Sequence, residues 1–436
     1  MENIKKHIGK KLWIRAKKVI PSGNSLLSKN PNLYHSELWP TYYKKAKGCE
    51  IYSMDNKKFI DVSMMGVGTN ILGYSYKPVD DAVLKVIKNS NMSTLNPVEE
   101  IYLSEELLKL NPWAGMCRFA RTGGEANAIA IRIARAYTKK ENVAVCGYHG
   151  WHDWYLALNL RSKKQIEKLL LKNLKTEGVA KSLKNSIYTF EYNDVEKVKY
   201  LIDKKNVGTI MMEVSRNYYP KNNFLKEIRI LCNKNRVILI FDECSSGFRE
   251  NLGGLHRKFK VNPDMCMYGK ALGNGYAITS IVGKKKIMLS SKNSFISSTF
   301  WSERIGFVAG LKTISEMRKK KSYKYITKMG RYIKKSWLKL AKKNHLEIEI
   351  SGIDALPNFK FKKNHQFLRS FITHEMLKDR YLATTNIYVS LAHTKKIIDN
   401  YLNKLDKIFL KISLNKKNLK KIYKGKVASS TFDRLN

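Results

Sequence analysis

Several short apolar runs of this chain end in a charged residue. Ile238-Leu239-Ile240-Phe241 leads into Asp242-Glu243, Ile210-Met211-Met212 into Glu213, and Met265-Cys266-Met267-Tyr268 into Gly269-Lys270. Such runs predict buried strands that deliver the charge to the carboxyl end, where open α/β sheets keep their ligand sites. Met116–Ala120 and Val143–Cys146 read as two further strands. Between them, Ala126–Tyr137 repeats Ala, Ile and Arg at helical spacing, directly after Arg121-Thr122-Gly123-Gly124-Glu125. Leu156–Ser186 is lysine-rich and helix-prone, with only Gly178 to break it, and Met1–Ile20 reads as a basic amphipathic helix with Ile4, Ile8, Leu12 and Ala16 on one stripe. No apolar stretch is long enough to span a bilayer.

Composition narrows the function classes. A chain of 436 residues, 43% hydrophobic and 11% aromatic, is too apolar for a disordered protein and long enough for a large domain with smaller terminal parts. The net charge of +46 would draw it to nucleic acid or an anionic membrane surface. Yet only 17 of the 82 basic residues are arginine, and the lysines are spread along the chain with abundant Asn and Ile. That is a proteome-wide lysine bias more than a selected nucleic-acid groove, where arginine carries base and phosphate contacts. No nucleic-acid partner is therefore assigned. Six scattered cysteines without a Cys-x-x-Cys pair read as reduced core thiols of a cytosolic protein. His149 and His152 stand three apart, but no second ligand pair accompanies them, so no metal is assigned.

Asp242 and Lys270 at neighbouring strand ends suit pyridoxal phosphate chemistry. The lysine holds the cofactor aldehyde as a Schiff base, and the aspartate keeps the pyridine nitrogen protonated so that the ring accepts carbanion electrons. Taken alone, the two are equally a solvated Asp-Glu pair and one surface lysine among many. Gly123 and Gly124, opening a helix, let backbone amides close on a phosphate at the positive end of the helix dipole. Thr-Gly-Gly is also an ordinary turn and cap. Tyr148, after the strand that ends at Cys146, is placed to lie flat on a planar cofactor.

Together these segments resemble the class III aminotransferases of fold type I, most closely the glutamate-1-semialdehyde aminomutase branch. The resemblance runs through Val19–Gly23, Tyr52–Asp61, Thr122–Ala126, Tyr148–Gly150, Phe241–Glu243 with Gly247–Arg249, Gly269-Lys270, Ser297–Arg304 and Ser390–Thr394. It implies an α/β fold with a mainly parallel sheet flanked by helices and a smaller C-terminal α/β domain. It also implies pyridoxal 5′-phosphate bound through Lys270, Asp242 on the pyridine nitrogen and Tyr148 stacked on the ring. Gly123, Gly124 and the Thr122 hydroxyl would hold the phosphate. Thr299 would reach the phosphate of the neighbouring subunit's cofactor, so a homodimer with shared sites is expected.

Two departures bear on function. Many relatives have Glu-Pro, small residues and an asparagine where this chain reads Glu213-Val214-Ser215-Arg216-Asn217. Asn217 is a candidate contact for the cofactor phenolic oxygen, one position out of register. Arg216, with Glu213, is the candidate substrate contact, because a guanidinium clamps a carboxylate or phosphate with two hydrogen bonds. An ion pair with a nearby acid is the alternative for Arg216. The second departure is the lysine-rich Leu156–Ser186, where the aminomutases carry a glycine- and serine-rich gating loop.

The expected activity is thus transfer of an amino group from a glutamate-like donor to a small or sugar-like oxo compound. Intramolecular aminomutation is the alternative, and a noncatalytic anion-binding protein on the same fold is a third reading. The expected organisation is an N-terminal edge lobe to residue 71, a cofactor domain over 72–317, a small domain over 318–414 and a basic tail over 415–436.

Overall fold

A computed structural model of the protein describes residues 8–160, 175–416 and 418–429. They fall into two compact units, one from residues 77–160 with 175–324 and one from residues 8–76 with 325–429.

The first unit is built on seven strands, β1 (Met116–Ala120), β2 (Asn142–Cys146), β3 (Ile187–Thr189), β4 (Val207–Glu213), β5 (Ile238–Glu243), β6 (Met265–Tyr268) and β7 (Thr279–Gly283). Their order across the sheet is β1-β7-β6-β5-β4-β2-β3. From β6 to β3 every pairing is parallel, and β7 runs antiparallel to both of its neighbours. All residues of β4, β5, β6 and β7 are buried. Strands covered on both faces cannot alternate with polar residues, which is why they appear in the sequence as unbroken apolar runs. Register sets Glu213 beside Asp242 and Glu243 beside Tyr268, so that three strands end their apolar runs at one edge.

Helix α1 (Gly123–Thr138) packs on this sheet. Thr122 and Glu125 form a reciprocal capping box at its start, and Lys139 in the left-handed region ends it. Ala126, Ile129, Ala130, Ile131, Ile133 and Ala134 are buried along it. Small residues let the helix lie close to the strands, and each buried isoleucine contributes roughly 1.5–3 kcal/mol. Within the predicted helix-prone stretch, the described parts are the end of a short helix, Asp153–Leu156, and single turns at Ala157–Leu160 and Lys181–Leu183. Residues 161–174 lie outside the described residues.

The second unit carries a sheet of Tyr43–Lys47, Glu50–Ser53, Lys58–Asp61 and Tyr381–Leu382, a hairpin of Ile348–Ser351 with Asn358–Phe361, and the helices His365–Lys378 and Lys395–Leu414. Trp337, Phe359, Phe371, Tyr401 and Phe409 form its interior. The predicted N-terminal helix is present as Ile8–Val19 with Ala16 buried; Ile4 lies outside the described residues. The lysine-rich segment after Leu414 is anchored over 415–429. Leu419, Tyr423 and Ala428 are buried, the Ala428 N–H donates to Ser370 Oγ at 2.9 Å, and the Ser429 N–H donates to the Asn32 carbonyl at 2.9 Å. No helix among the described residues is long and apolar enough to cross a membrane.

Candidate active site

Asp242 closes β5 and is buried. Its Oδ2 accepts from Asn127 Nδ2 at 2.8 Å and meets His149 Nδ1 at 2.9 Å, while Oδ1 accepts from the Cys244 N–H at 3.0 Å. Burial pushes its pKa up, but the hydrogen bonds and charge of His149, with those from Cys244 and Asn127, outweigh burial and hold it below the ordinary carboxylate value. Asp242 is thus kept ionised, as a cation partner requires. Neither Asn127 nor the pairing of His149 with Asp242 was legible from spacing. The only signal was that both flank motifs already suspected, Gly123-Gly124 and Tyr148.

Lys270 follows β6, the parallel neighbour of β5. Its Nζ donates to Ser245 Oγ at 2.7 Å, and Ser245 is itself buried. Gly269 is extended, and Lys270 has φ +42°, in the left-handed region that side chains avoid. A non-glycine residue there costs roughly 1–3 kcal/mol, a strain found at sites where a side chain must be aimed.

The glycine turn lies across from them. Gly124 is the second residue of α1, and a Cβ added there would stand 2.8 Å from the His152 ring. Gly150, at φ +105°, approaches so closely that its Cβ would come within 2.9 Å of the Gly124 Cα. Only glycine allows both contacts. The Thr122 hydroxyl donates to Glu125 at 3.0 Å and accepts the Glu125 N–H at 3.4 Å, and the Thr122 N–H also donates to Glu125.

Tyr148 is half-buried; its N–H donates to Glu213 Oε2 at 3.1 Å, and its ring meets Tyr155 edge-on at 6.1 Å. Glu213, buried at the end of β4, is therefore engaged by the segment that carries the ring. Beyond it, Ser215 is buried and Arg216 and Asn217 are half-buried. Thr299 is exposed on the turn Thr299–Ser302. That turn is fastened beside the glycines by two residues that spacing did not single out individually. Arg121 donates to the carbonyls of Phe300, Trp301 and Glu303 at 2.8–3.0 Å, and the Trp301 indole donates to Glu125 at 3.2 Å. Asn127 Oδ1, His149 Nε2 and His152 Nδ1 are buried without a hydrogen-bond partner among the described residues. Buried polar atoms usually have a partner, which makes these three candidates for contact with a ligand.

Known proteins resemble this chain in sequence and in fold. The family model described as aminotransferase class-III matches residues 34–409. A 3-aminobutyryl-CoA aminotransferase of Cloacimonas acidaminovorans is 32% identical over 363 residues, covering 81% of this chain and 83% of the relative. A glutamate-1-semialdehyde 2,1-aminomutase of Acetivibrio thermocellus is 31% identical over 433 residues, covering 93% and 98%. Among solved structures, the internal aldimine form of the FumI protein of Sphingopyxis sp. MTA144 superposes with a TM-score of 0.85 at 20% identity, covering 96% of this chain and 98% of that one. At that identity the likeness is one of fold, the fold type I arrangement that the sequence resemblance implied.

Proposed function

The chain belongs to the class-III aminotransferase family, and from that premise we propose that it moves an amino group from an amino donor to an oxo acceptor with pyridoxal 5′-phosphate, at the site between Lys270 and Asp242. The observation that carries the reading is the adjacency of an ionised, buried Asp242 and an aimed Lys270 at the ends of two hydrogen-bonded parallel strands. The residues present fit the cofactor. Gly123 and Gly124 offer helix-terminal amides to its phosphate, and His149 and Asn127 brace the carboxylate meant for its ring nitrogen. The bound cofactor supplies an electrophilic carbon for amines and a ring that takes up the electrons released when a Cα–H bond breaks.

The protein's part is to hold, aim and move protons. Lys270 would hold the cofactor and, as a free amine, would carry a proton to and from the substrate carbon. Ser245, 2.7 Å from its Nζ, fixes where that amine waits. Asp242 would keep the ring nitrogen protonated, and Tyr148, whose N–H is held by Glu213, would stack on the ring. Asn217 is assigned to the phenolic oxygen. Arg216 and Glu213 are assigned to substrate, Arg216 as the clamp for an anionic group; for Glu213 that assignment rests on the resemblance.

The working unit in this reading is a homodimer in which Thr299 serves the other subunit's phosphate. Its exposure, with Phe295 85% and Phe300 67% exposed beside it, supports a surface made to be covered. All six cysteines are free thiols, which suits a reducing, cytoplasmic compartment.

Relatives named as aminomutases keep intramolecular exchange as the second reading. A screen of amino donors against the cofactor-loaded protein decides between them. Loss of the aldehyde-form absorbance with glutamate or another donor, and recovery with a separate oxo acid, supports intermolecular transfer. Conversion of glutamate-1-semialdehyde alone, with no exchange with added donors, would replace it with aminomutation.

A further inference from the structure

Within one subunit, the described residues of the Gly123–Gly124 turn offer a phosphate no free side-chain hydroxyl. Glu125 and Ala126 N–H groups are taken by Thr122, through its Oγ1 and its carbonyl, which leaves Gly123 and Gly124 as the helix-opening amides. The Thr122 hydroxyl is engaged in both directions with Glu125. Gly124 has no side chain at all. The space that one would fill is occupied instead by His152, whose Nδ1 and Cε1 both lie 2.8 Å from the Cβ position of Gly124. At that distance the ring takes the room that any side chain at 124 would need. That Nδ1 is buried and has no hydrogen-bond partner among the described residues, and Trp151 stacks on the ring at 4.6 Å, which limits its rotation.

We propose that His152 is a phosphate-binding residue of the cofactor site, its Nδ1–H giving the side-chain hydrogen bond that Gly124 cannot give and Thr122 gives to Glu125. The inference rests on the reading that the cofactor's phosphate docks on Gly123 and Gly124. A phosphate accepts strongly from any N–H at this place, and the donation answers a buried polar atom of His152 that has no partner among the described residues. It also gives a reason for a glycine at 124: any Cβ would displace the ring.

The test uses the full chain stripped of cofactor and reloaded either with pyridoxal phosphate or with pyridoxal, which lacks the phosphate, with affinity read from tryptophan fluorescence. His152→Ala should weaken pyridoxal phosphate roughly tenfold to hundredfold and leave pyridoxal unchanged. His152→Asn, which keeps a shorter donor, should fall between. The double variant His152→Ala with Gly124→Ser, which puts a hydroxyl into the vacated space, should regain part of the phosphate-dependent affinity. An unchanged affinity for pyridoxal phosphate in both single variants, or equal weakening of both ligands, would overturn the assignment. Borohydride reduction of the loaded wild-type protein followed by peptide mass mapping checks the parent reading separately. An adduct on any residue other than Lys270 overturns the docking site itself, whereas an adduct on Lys270 with flat affinities overturns only the role of His152.

Discussion

Asp242 and Glu243 are consecutive carboxylates on one strand, each buried and each paired with a histidine, and their surroundings differ in a way that separates a site from a scaffold. Successive strand residues point to opposite faces, so each carboxylate meets its own environment. Glu243 accepts from the Ser246 hydroxyl at 3.0 Å, the Leu255 N–H at 2.5 Å, the His256 N–H at 2.9 Å and His256 Nδ1 at 2.7 Å. The other ring nitrogen of His256 accepts from the Trp113 indole at 3.2 Å. The Cys266 thiol lies within reach of the same pair, a grouping with the makings of a metal site, but both carboxylate oxygens and both imidazole nitrogens already have partners. Every polar atom of the Glu243–His256 pair is answered within the protein. Around Asp242, His149 Nε2 and Asn127 Oδ1 are not. A closed hydrogen-bond network holds the loop after β5 in place; the one around Asp242 leaves two buried polar atoms unanswered among the described residues.

The comparison can be broken by substitution. The largest effect belongs to Lys270, across the sheet edge from Asp242. Lys270→Ala should lower turnover by roughly 10²–10⁴-fold or more, measured as amino transfer at saturating cofactor, because anchoring and proton transfer are lost together. Near-normal turnover would dissolve the open side of the comparison. Glu243→Ala should instead cost about 3–5 kcal/mol of stability in urea unfolding, since four buried donors lose their acceptor, while the folded fraction keeps its activity. Asp242→Asn should do the reverse. It should cost about 2–5 kcal/mol in kcat/KM at matched cofactor occupancy, with a small change in Tm. If the two variants changed the same observable, the division into site and scaffold would fail.

Finer effects sharpen it. Arg216→Lys should raise the substrate's KM with little change in the cofactor spectrum, a loss of about 1.5–3 kcal/mol in kcat/KM, because an ammonium cannot reproduce a two-pronged clamp. Smallest is the acid response of Asp242. Its folded pKa lies below the unfolded value of about 3.9, so its stabilisation is fully present above that value and is lost as pH falls through the folded pKa. Stability curves of wild type and Asp242→Asn should therefore run parallel from neutral pH to about pH 5 and converge only below about pH 4.

Much of the first unit was legible because burial on both faces writes itself as composition. β5 and β6 have the bounds that their apolar runs predict, β2 begins one residue before its run, and α1 begins at the glycines that precede its helical repeat. Partners contributed from distant sequence were not legible. Trp113 meets His256 across 143 residues and Asn127 meets Asp242 across 115, and no local pattern announces such pairings. The packing of the segment after Leu414 was not legible for a related reason. Its lysines dominate the composition, while the three residues that anchor it, Leu419, Tyr423 and Ala428, are too few to form a periodic stripe.

The inserted strand β7 has a consequence for how the site comes into being. It is the last of the seven strands to be synthesised, yet it lies between β1 and β6. Thr279 at its start donates to the Thr122 carbonyl, 157 residues earlier in the chain, and its methyl group lies 2.9 Å from the place a Cβ on Gly269 would take. The glycine cup and the lysine are thus joined by one late, long-range insertion. Closing so distant a contact is slow, and until it happens β1 and β6 each present an unpaired edge open to association with other chains. Cofactor that binds only after this closure pulls the last folding step forward by mass action, so its supply during synthesis should govern how much protein escapes aggregation.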